Sequence, residues 1–344
     1  MKLSLFDYQL PLELIAQEPS QPRDHSRLLI YNRKTKEIYN EFFYNLPQYL
    51  TPGDLLIFNN SKVDACRLYG TKPTGGKMEV FLLTQKTNQT WEAMIGGKGQ
   101  VPGLKIDLGE GFYAVLVKRA SDKTWLVKLP FPPLKLRELI VKHGQIPLPP
   151  YIHSKLSQIK LKKIYQTVYA EKSGSAAAPT AGFHFTTRLL NKLKNQGIET
   201  HFVTLHVGLG TFMPVKTEKI EDHQMHSEDI EISTPTLKAI RRAKKENRRI
   251  ICVGTTSLRA LEAAADKILN PRVKSIAGPV NIFIYPGYKF KIITNLITNF
   301  HLPKSTLLML VSAIIGRKKT LTLYHHAIKN KYRFFSFGDA MFIL

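Results

Sequence analysis

Apolar and polar positions first separate into short blocks. RLLIYNRKTKEIYNEFF (27–43) sets two apolar runs around a charged turn and predicts a strand pair. A short helix marked by proline follows, and GDLLIFNN (53–60) reads as a strand running into a polar turn. From about 63 to 150 the texture changes. ACRLYGTK, KMEVFLLT, TWEAMIG, FYAVLVKR and TWLVKLPF alternate closely with Gly, Asn, Asp and Lys turns, with a single helix candidate, LKLRELIVKHG (134–144). Such a run of short strands predicts a small β-barrel. Its end is marked by QIPLPPYIHS (145–154), whose three prolines forbid regular structure and suit a crossing between domains.

Beyond 160 helix alternates with strand. TTRLLNKLKNQG has Thr caps, apolar positions 189, 190 and 193 and a stop at Gly197, and leads into the strand IETHFVTLHVG. STPTLKAIRRAKKENRR opens on a Ser/Thr cap with Pro235 in its first turn, and precedes the buried strand IICVG. Further strands are expected at NIFIYP and NLITNF, then a helix from 305 and a hydrophobic C-terminal strand in YRFFSFGDAMFI (332–343). Strands alternating with helices imply crossover connections. The expected fold is therefore α/β. A layered α/β domain with a mostly parallel or mixed sheet, discontinuous over 1–62 and 151–344, carries an inserted small β-barrel domain at 63–150.

Composition adds one unusual feature. A hydrophobic fraction of 43% is ordinary for a folded chain, but 50 Lys and Arg against 26 Asp and Glu leave a net charge of +24. That field holds and captures polyanions, nucleic acid first and an acidic membrane surface second, although a Lys-rich genome would produce the same balance without function. Cys66 and Cys252 lie far apart, so no disulfide framework, thiolate zinc site or iron–sulfur cluster is expected, and a reducing cytoplasm fits. The N-terminus meets Asp7 and Pro11 before any apolar run forms, unlike a signal peptide. TLLMLVSAIIG (306–316) is about half of the ~20 residues a bilayer requires and reads as a buried helix.

Several stretches carry chemistry. In EKSGSAAAPTAGFHFTT (171–187) the small residues are either a linker or a backbone that something approaches closely, and the triplet Phe183–His184–Phe185 favours the second. GTTSLRALE (254–262) begins a helix after a strand, so Thr255, Thr256 and Ser257 offer hydroxyls and free N–H groups to an anion, or simply cap the helix. Arg259 and Glu262 stand three apart and are placed to pair. THFVTLHVGLGTF (200–212) puts His206 on the more polar strand face beside Gly208, Gly210 and Thr211. EDHQMHSED (221–229) offers His223, His226 and Glu228 as metal ligands, as acid and base, or as a solvated turn. TNFHLPKST (298–306) sets Asn299, His301 and Ser305 where open sheets bind ligands. Gly338 and Asp339 are unexplained by a strand.

The sequence resembles the S-adenosylmethionine:tRNA ribosyltransferase-isomerase family of queuosine biosynthesis. The resemblance runs in order through FDYQLPLELIAQEP, PGDLLIFNNSKV, GGKMEV, IPLPPYI, YQTVYAEKSGSAAAPTAGFHF, TLHVGLGTF, EDHQMHSE, GTTSLRALE, TNFHLPKSTLLMLVSA and YRFFSFGDAMFI. It implies an α/β domain with an inserted barrel and a monomer. It also implies transfer and isomerisation of the ribosyl part of S-adenosylmethionine onto 7-aminomethyl-7-deazaguanine at the wobble position of tRNA. Epoxyqueuosine, adenine and methionine are the products implied, with S-adenosylmethionine as co-substrate and neither metal nor prosthetic group.

Acid, base and charge-balancing roles then fall to His184, His206, His226, Glu228 and Asp339, without division among them. Thr255, Thr256 and Ser257 would hold the methionine carboxylate, within a cofactor pocket that also takes in Thr180, Gly182, Phe183, Gly208, Gly210, Thr211, Asn299, His301 and Ser305. Arg67, Lys77, Glu79 and Arg259 are the expected tRNA contacts, Lys77 reading equally as a solvated strand lysine. The whole expectation is a single dry pocket formed by separated segments of the α/β half, rimmed by basic residues for the anticodon arm. Two other readings remain: a metal-dependent hydrolase acting on RNA, built on His223, His226 and Glu228, and a non-catalytic tRNA-binding protein using the charge alone.

Overall fold

The computed structural model describes residues 1–154, 156–208, 215 and 217–344. In chain order the strands are β1 (Arg27–Tyr31), β2 (Ile38–Phe42), β3 (Leu55–Asn59), β4 (Ser61–Val63), β5 (Arg67–Thr71), β6 (Lys77–Gln85), β7 (Thr90–Gly96), β8 (Lys105–Gly109), β9 (Phe112–Arg119) and β10 (Trp125–Lys128). They continue with β11 (Lys172–Ser175), β12 (Glu199–Leu205), β13 (Glu228–Ile232), β14 (Ile250–Val253), β15 (Ile276–Val280), β16 (Asn295–Asn299) and β17 (Ala340–Ile343). The helices are α1 (Pro133–His143), α2 (Gln158–Ile164), α3 (Thr187–Asn195), α4 (Thr234–Lys245), α5 (Thr255–Ala263), α6 (Ala265–Leu269), α7 (Thr306–Ile315) and α8 (Arg317–Lys329).

Nine strands form one mixed sheet in the order β15-β13-β12-β3-β14-β16-β17-β1-β2. Its centre, β12-β3-β14-β16, is parallel, and antiparallel pairs flank it on both sides. Every residue of β3, β14, β16 and β17 is buried, which is why these segments read as continuous apolar runs. Alternation still sorts their side chains. Leu55, Ile57, Ile250, Cys252 and Leu296 pack under α4–α8, while Leu56, Phe58, Ile251, Val253 and Ile297 pack under α3 and the turn at 43–49. The last strand, β17, lies parallel to β1 and antiparallel to β16, so both ends of the chain enter the same sheet.

Strands β5 to β10 close into a barrel around an apolar core of its own, to which Ala176 from the later part of the chain also contributes. A two-stranded parallel pair of β4 and β11 lies where the barrel leaves the sheet.

Thr186 caps α3 by accepting from Leu189 N–H, and Ser305 caps α7 by accepting from Leu308 N–H. Three expectations are corrected. NIFIYP is not a strand; the strand is β15, immediately before it. The C-terminal strand is confined to Ala340–Ile343, and β12 ends at Leu205, short of the glycines.

The parallel strands end together at Asn59, Leu205, Val253 and Asn299. Asn59 pins two of them: its Oδ1 accepts from Leu205 N–H and its amide donates to the Leu205 carbonyl, both at 3.0 Å. The helices α5 and α7 both start beyond this edge, which makes it the natural place for a ligand.

Candidate active site

A cavity of about 460 Å³ opens at this edge. It is lined by Thr298–Asn299 and the start of α5, by Ala177–Ala181, and by Phe335–Ser336 with Tyr151 and Tyr165.

The first turn of α5 has no side-chain cap. Gly254 takes φ +90° there, a left-handed conformation natural to glycine, so the strand turns sharply into the helix and its first N–H groups face the cavity wall. Thr256 Oγ1 is buried without a partner. Ser257 does something else: its hydroxyl donates to the Val253 carbonyl at 2.9 Å and does not line the cavity.

Arg259, one turn further on, also lines the cavity, and its guanidinium pairs with the Glu228 carboxylate, both side chains almost fully buried. The sequence pointed to Glu262 as its partner and to tRNA as its ligand. Glu262 instead accepts N–H groups from Lys291, Ile292 and Ile293 at 2.9–3.0 Å, which consumes its charge. A small adjoining pocket holds Glu228 and Arg259 together with His223 and His226. With a guanidinium already on Glu228, that cluster is poorly disposed to bind a cation, so the hydrolase reading has little support here.

Phe335, also in the lining, adopts φ +70°, a left-handed backbone that costs a non-glycine residue ~1–3 kcal/mol. Three hydrogen bonds hold it: its N–H donates to the Phe300 carbonyl at 3.1 Å, and its carbonyl accepts from the Asn299 amide at 2.9 Å and from Gly338 N–H at 3.0 Å. Tyr151 stacks on its ring at 4.7 Å and donates or accepts with Ser336 at 2.8 Å. Burial pushes the Tyr151 hydroxyl up to about 12, so it stays protonated. His301 lines the floor with Nε2 2.8 Å from Thr298 Oγ1, and burial lowers its pKa to about 3, leaving a neutral ring.

Of the expected residues, Thr180, Thr255, Thr256, Arg259, Asn299, His301 and Ser305 meet at this cavity. Others do not. His184 is buried behind it, Nδ1 2.7 Å from Ser26 Oγ and its ring stacked on Phe43 at 4.9 Å; burial and the Arg333 charge take its pKa down to about 3. Its polar neighbour on the other side is Asn299. Phe183 packs on Tyr165 and Phe337, and Gly182 is required because a Cβ there would collide with the Tyr169 hydroxyl. His206 sits on the far side of the Ala wall, its ring 3.2 Å from where a Cβ on Gly174 would lie, and burial lowers its pKa. Gly208 is near Ser227 and outside the cavity lining. Gly210 and Thr211 lie outside the described residues.

Asp339 has a structural explanation. It accepts from Arg27 N–H at 3.0 Å and Arg333 N–H at 2.8 Å and pairs with the Arg333 guanidinium, closing the turn before β17. Gly338 permits that turn, since a Cβ there would lie 2.5 Å from the Arg333 carbonyl. On the barrel, Arg67 and Glu79 pair at 2.8 Å, and Lys77 is exposed.

Sequence reasoning placed the small-residue run that includes Ala177 and Ala178 around the ligand but missed the aromatic side chains Tyr151, Tyr165 and Phe335. Tyr151 stood in a stretch read as a domain crossing, and its proline-rich context was the available signal: a rigid, extended segment can line a cavity as well as link domains.

A nine-stranded mixed sheet with a cavity at its strand ends, joined to a closed barrel, defines a two-part α/β protein, and comparisons place it among the tRNA-modifying transferases. The chain belongs to the queuosine biosynthesis protein family, whose pattern it matches over residues 3–343. It is 50% identical over 346 residues to the S-adenosylmethionine:tRNA ribosyltransferase-isomerase of Halothermothrix orenii, and 48% identical to that of Carboxydothermus hydrogenoformans, covering 100% of each chain in both cases. The crystal structure of S-adenosylmethionine tRNA ribosyltransferase from Thermotoga maritima superposes with a TM-score of 0.57 at 35% identity, over 99% of this chain and 100% of that one. No helix among the described residues is long and apolar enough to cross a membrane.

Proposed function

We propose that this chain transfers the ribosyl part of S-adenosylmethionine to the aminomethyl group of 7-aminomethyl-7-deazaguanine at the tRNA wobble position. Isomerisation gives epoxyqueuosine, and adenine and methionine leave. The supporting observation is the lining of the 460 Å³ cavity, which combines the unpartnered Thr256 Oγ1 and Arg259 on α5 with the aromatic rings of Tyr151, Tyr165 and Phe335. A zwitterionic sulfonium nucleotide needs both.

The α5 N–H groups, Thr256 Oγ1 and Arg259 suit the methionine carboxylate, with the helix dipole adding to the attraction. Faces of Tyr151 and Phe335 suit the sulfonium. Glu228 acts as a positioning residue, fixing the Arg259 guanidinium. The sulfonium acidifies the adjacent 5′ protons, so a base of modest strength suffices, and His226 at the adjoining pocket is the group we assign to proton exchange. His184 supports Asn299 from behind, and His206 packs behind Gly174, outside both cavity linings. The protein acts as a cytoplasmic monomer, with Arg67, Lys77 and Glu79 on the barrel facing RNA.

Incubation with S-adenosylmethionine and tRNA bearing the aminomethyl precursor tests this. Adenine release matched by conversion of the precursor nucleoside to the mass of epoxyqueuosine is expected; no tRNA-dependent adenine release overturns it.

A further inference from the structure

A second cavity, about 650 Å³, lies between the barrel and the β4/β11 pair. It shares a wall with the first. Ser173–Ala176 line the second cavity and Ala177–Ala181 line the first, so consecutive residues of one small-residue segment serve both. That wall is fixed: Ala176 N–H donates to the Val207 carbonyl at 3.0 Å, and Ser175 Oγ accepts from Val207 N–H and donates to the Ala177 carbonyl.

The lining is chemically specific. Lys62, Arg137 and Lys162 supply positive charge, and neither Lys62 nor Arg137 forms an ion pair among the described residues. Trp91 contributes a ring whose indole N–H is buried without a partner. Asp64 is the one acidic side chain in the lining, half-buried against Ser173 and Gly174, with His206 behind Gly174. A cationic rim with an aromatic face is the arrangement that holds unstacked single-stranded nucleotides, phosphates outside and base inside. A carboxylate among them accepts from the imino N–H of guanine or uracil; adenine and cytosine have no such donor.

The geometry points to the second cavity as the seat of an unstacked anticodon-loop nucleotide neighbouring the one that reacts, its base edge read by Asp64 and its phosphates held by Lys62 and Arg137. This rests on the proposed tRNA substrate. The first cavity takes S-adenosylmethionine, and because one segment, 173–181, lines both cavities, a nucleotide in the second lies next to the one that presents its base at the first.

The test is titration of the full chain with an anticodon stem-loop RNA and with versions carrying an abasic site at each loop position in turn. One abasic position is expected to cost wild type about tenfold in affinity, the scale of one stacked base. Asp64→Ala is expected to weaken the intact stem-loop and to remove the further penalty at that same position. Asp64→Asn, which keeps the side chain's shape, should do likewise with unchanged thermal unfolding. Lys62→Ala and Arg137→Ala should each lower the slope of log affinity against log salt by about 0.7. Intact affinity within twofold of wild type in the Asp64 variants, or a penalty that persists in them, overturns the inference alone. Wild-type binding no tighter than to a scrambled-loop hairpin overturns it together with the tRNA reading.

Discussion

Arg259 and Glu228 form an ion pair with side-chain exposures of 6% and 4%, joining the second turn of α5 to the start of β13. Neither residue's neighbours in sequence announce the other. The pair sets the guanidinium at the seam between the main cavity and the pocket of His223 and His226.

Removing one partner leaves the other charged and dry. Glu228→Ala is expected to destabilise the fold by about 3–5 kcal/mol, whereas Glu228→Gln with Arg259→Gln should lose less than the two single changes summed. Urea unfolding of the four proteins measures the coupling.

Thr256 Oγ1 has no protein partner and lies beside the start of α5. Thr256→Val should leave stability nearly unchanged and weaken S-adenosylmethionine binding about 10-fold, the value of one hydrogen bond to a charged group. Calorimetric titration distinguishes this from a capping role, which would lower the unfolding midpoint instead.

Ala178 lines the cavity with almost no surface exposed. Ala178→Leu fills space that the nucleotide needs, so S-adenosylmethionine affinity should fall by more than tenfold while stem-loop RNA affinity holds. Equal loss of both would show a general distortion of the wall.

His184 and His301 are both held neutral, their pKa values lowered from 6.5 to about 3 by burial. The unfolded state binds the extra protons, so this contribution is complete above pH 6.5 and is lost as pH falls toward 3. Each histidine adds a slope of about 1.4 kcal/mol per pH unit inside that window. Unfolding free energies between pH 7 and pH 4 should show a shallower decline in His184→Gln than in wild type.

Much of the architecture was readable because it follows local rules. The fully apolar β3 and β14, the capped α3 and the closely spaced barrel strands each carry their period or their turn chemistry in adjacent residues. NIFIYP failed for the same reason: its apolar residues pack against the core without pairing, and local pattern cannot distinguish packing from pairing. At the site, Thr255, Thr256, Asn299 and His301 were found because they follow strands, a topological rule visible in order alone.

The sequence by itself determined the class of fold, the strand ends at which the cavity opens, and the basic character of the chain, because these depend on residue type and short-range spacing. Tertiary structure decided which polar groups are still free to act. Asp339 and Glu262 look as reactive in sequence as Thr256 or Arg259, yet the folded chain satisfies them with hydrogen bonds from residues they meet only in three dimensions. The availability of a buried polar group depends on its partners, and partners brought together across hundreds of residues leave no local trace.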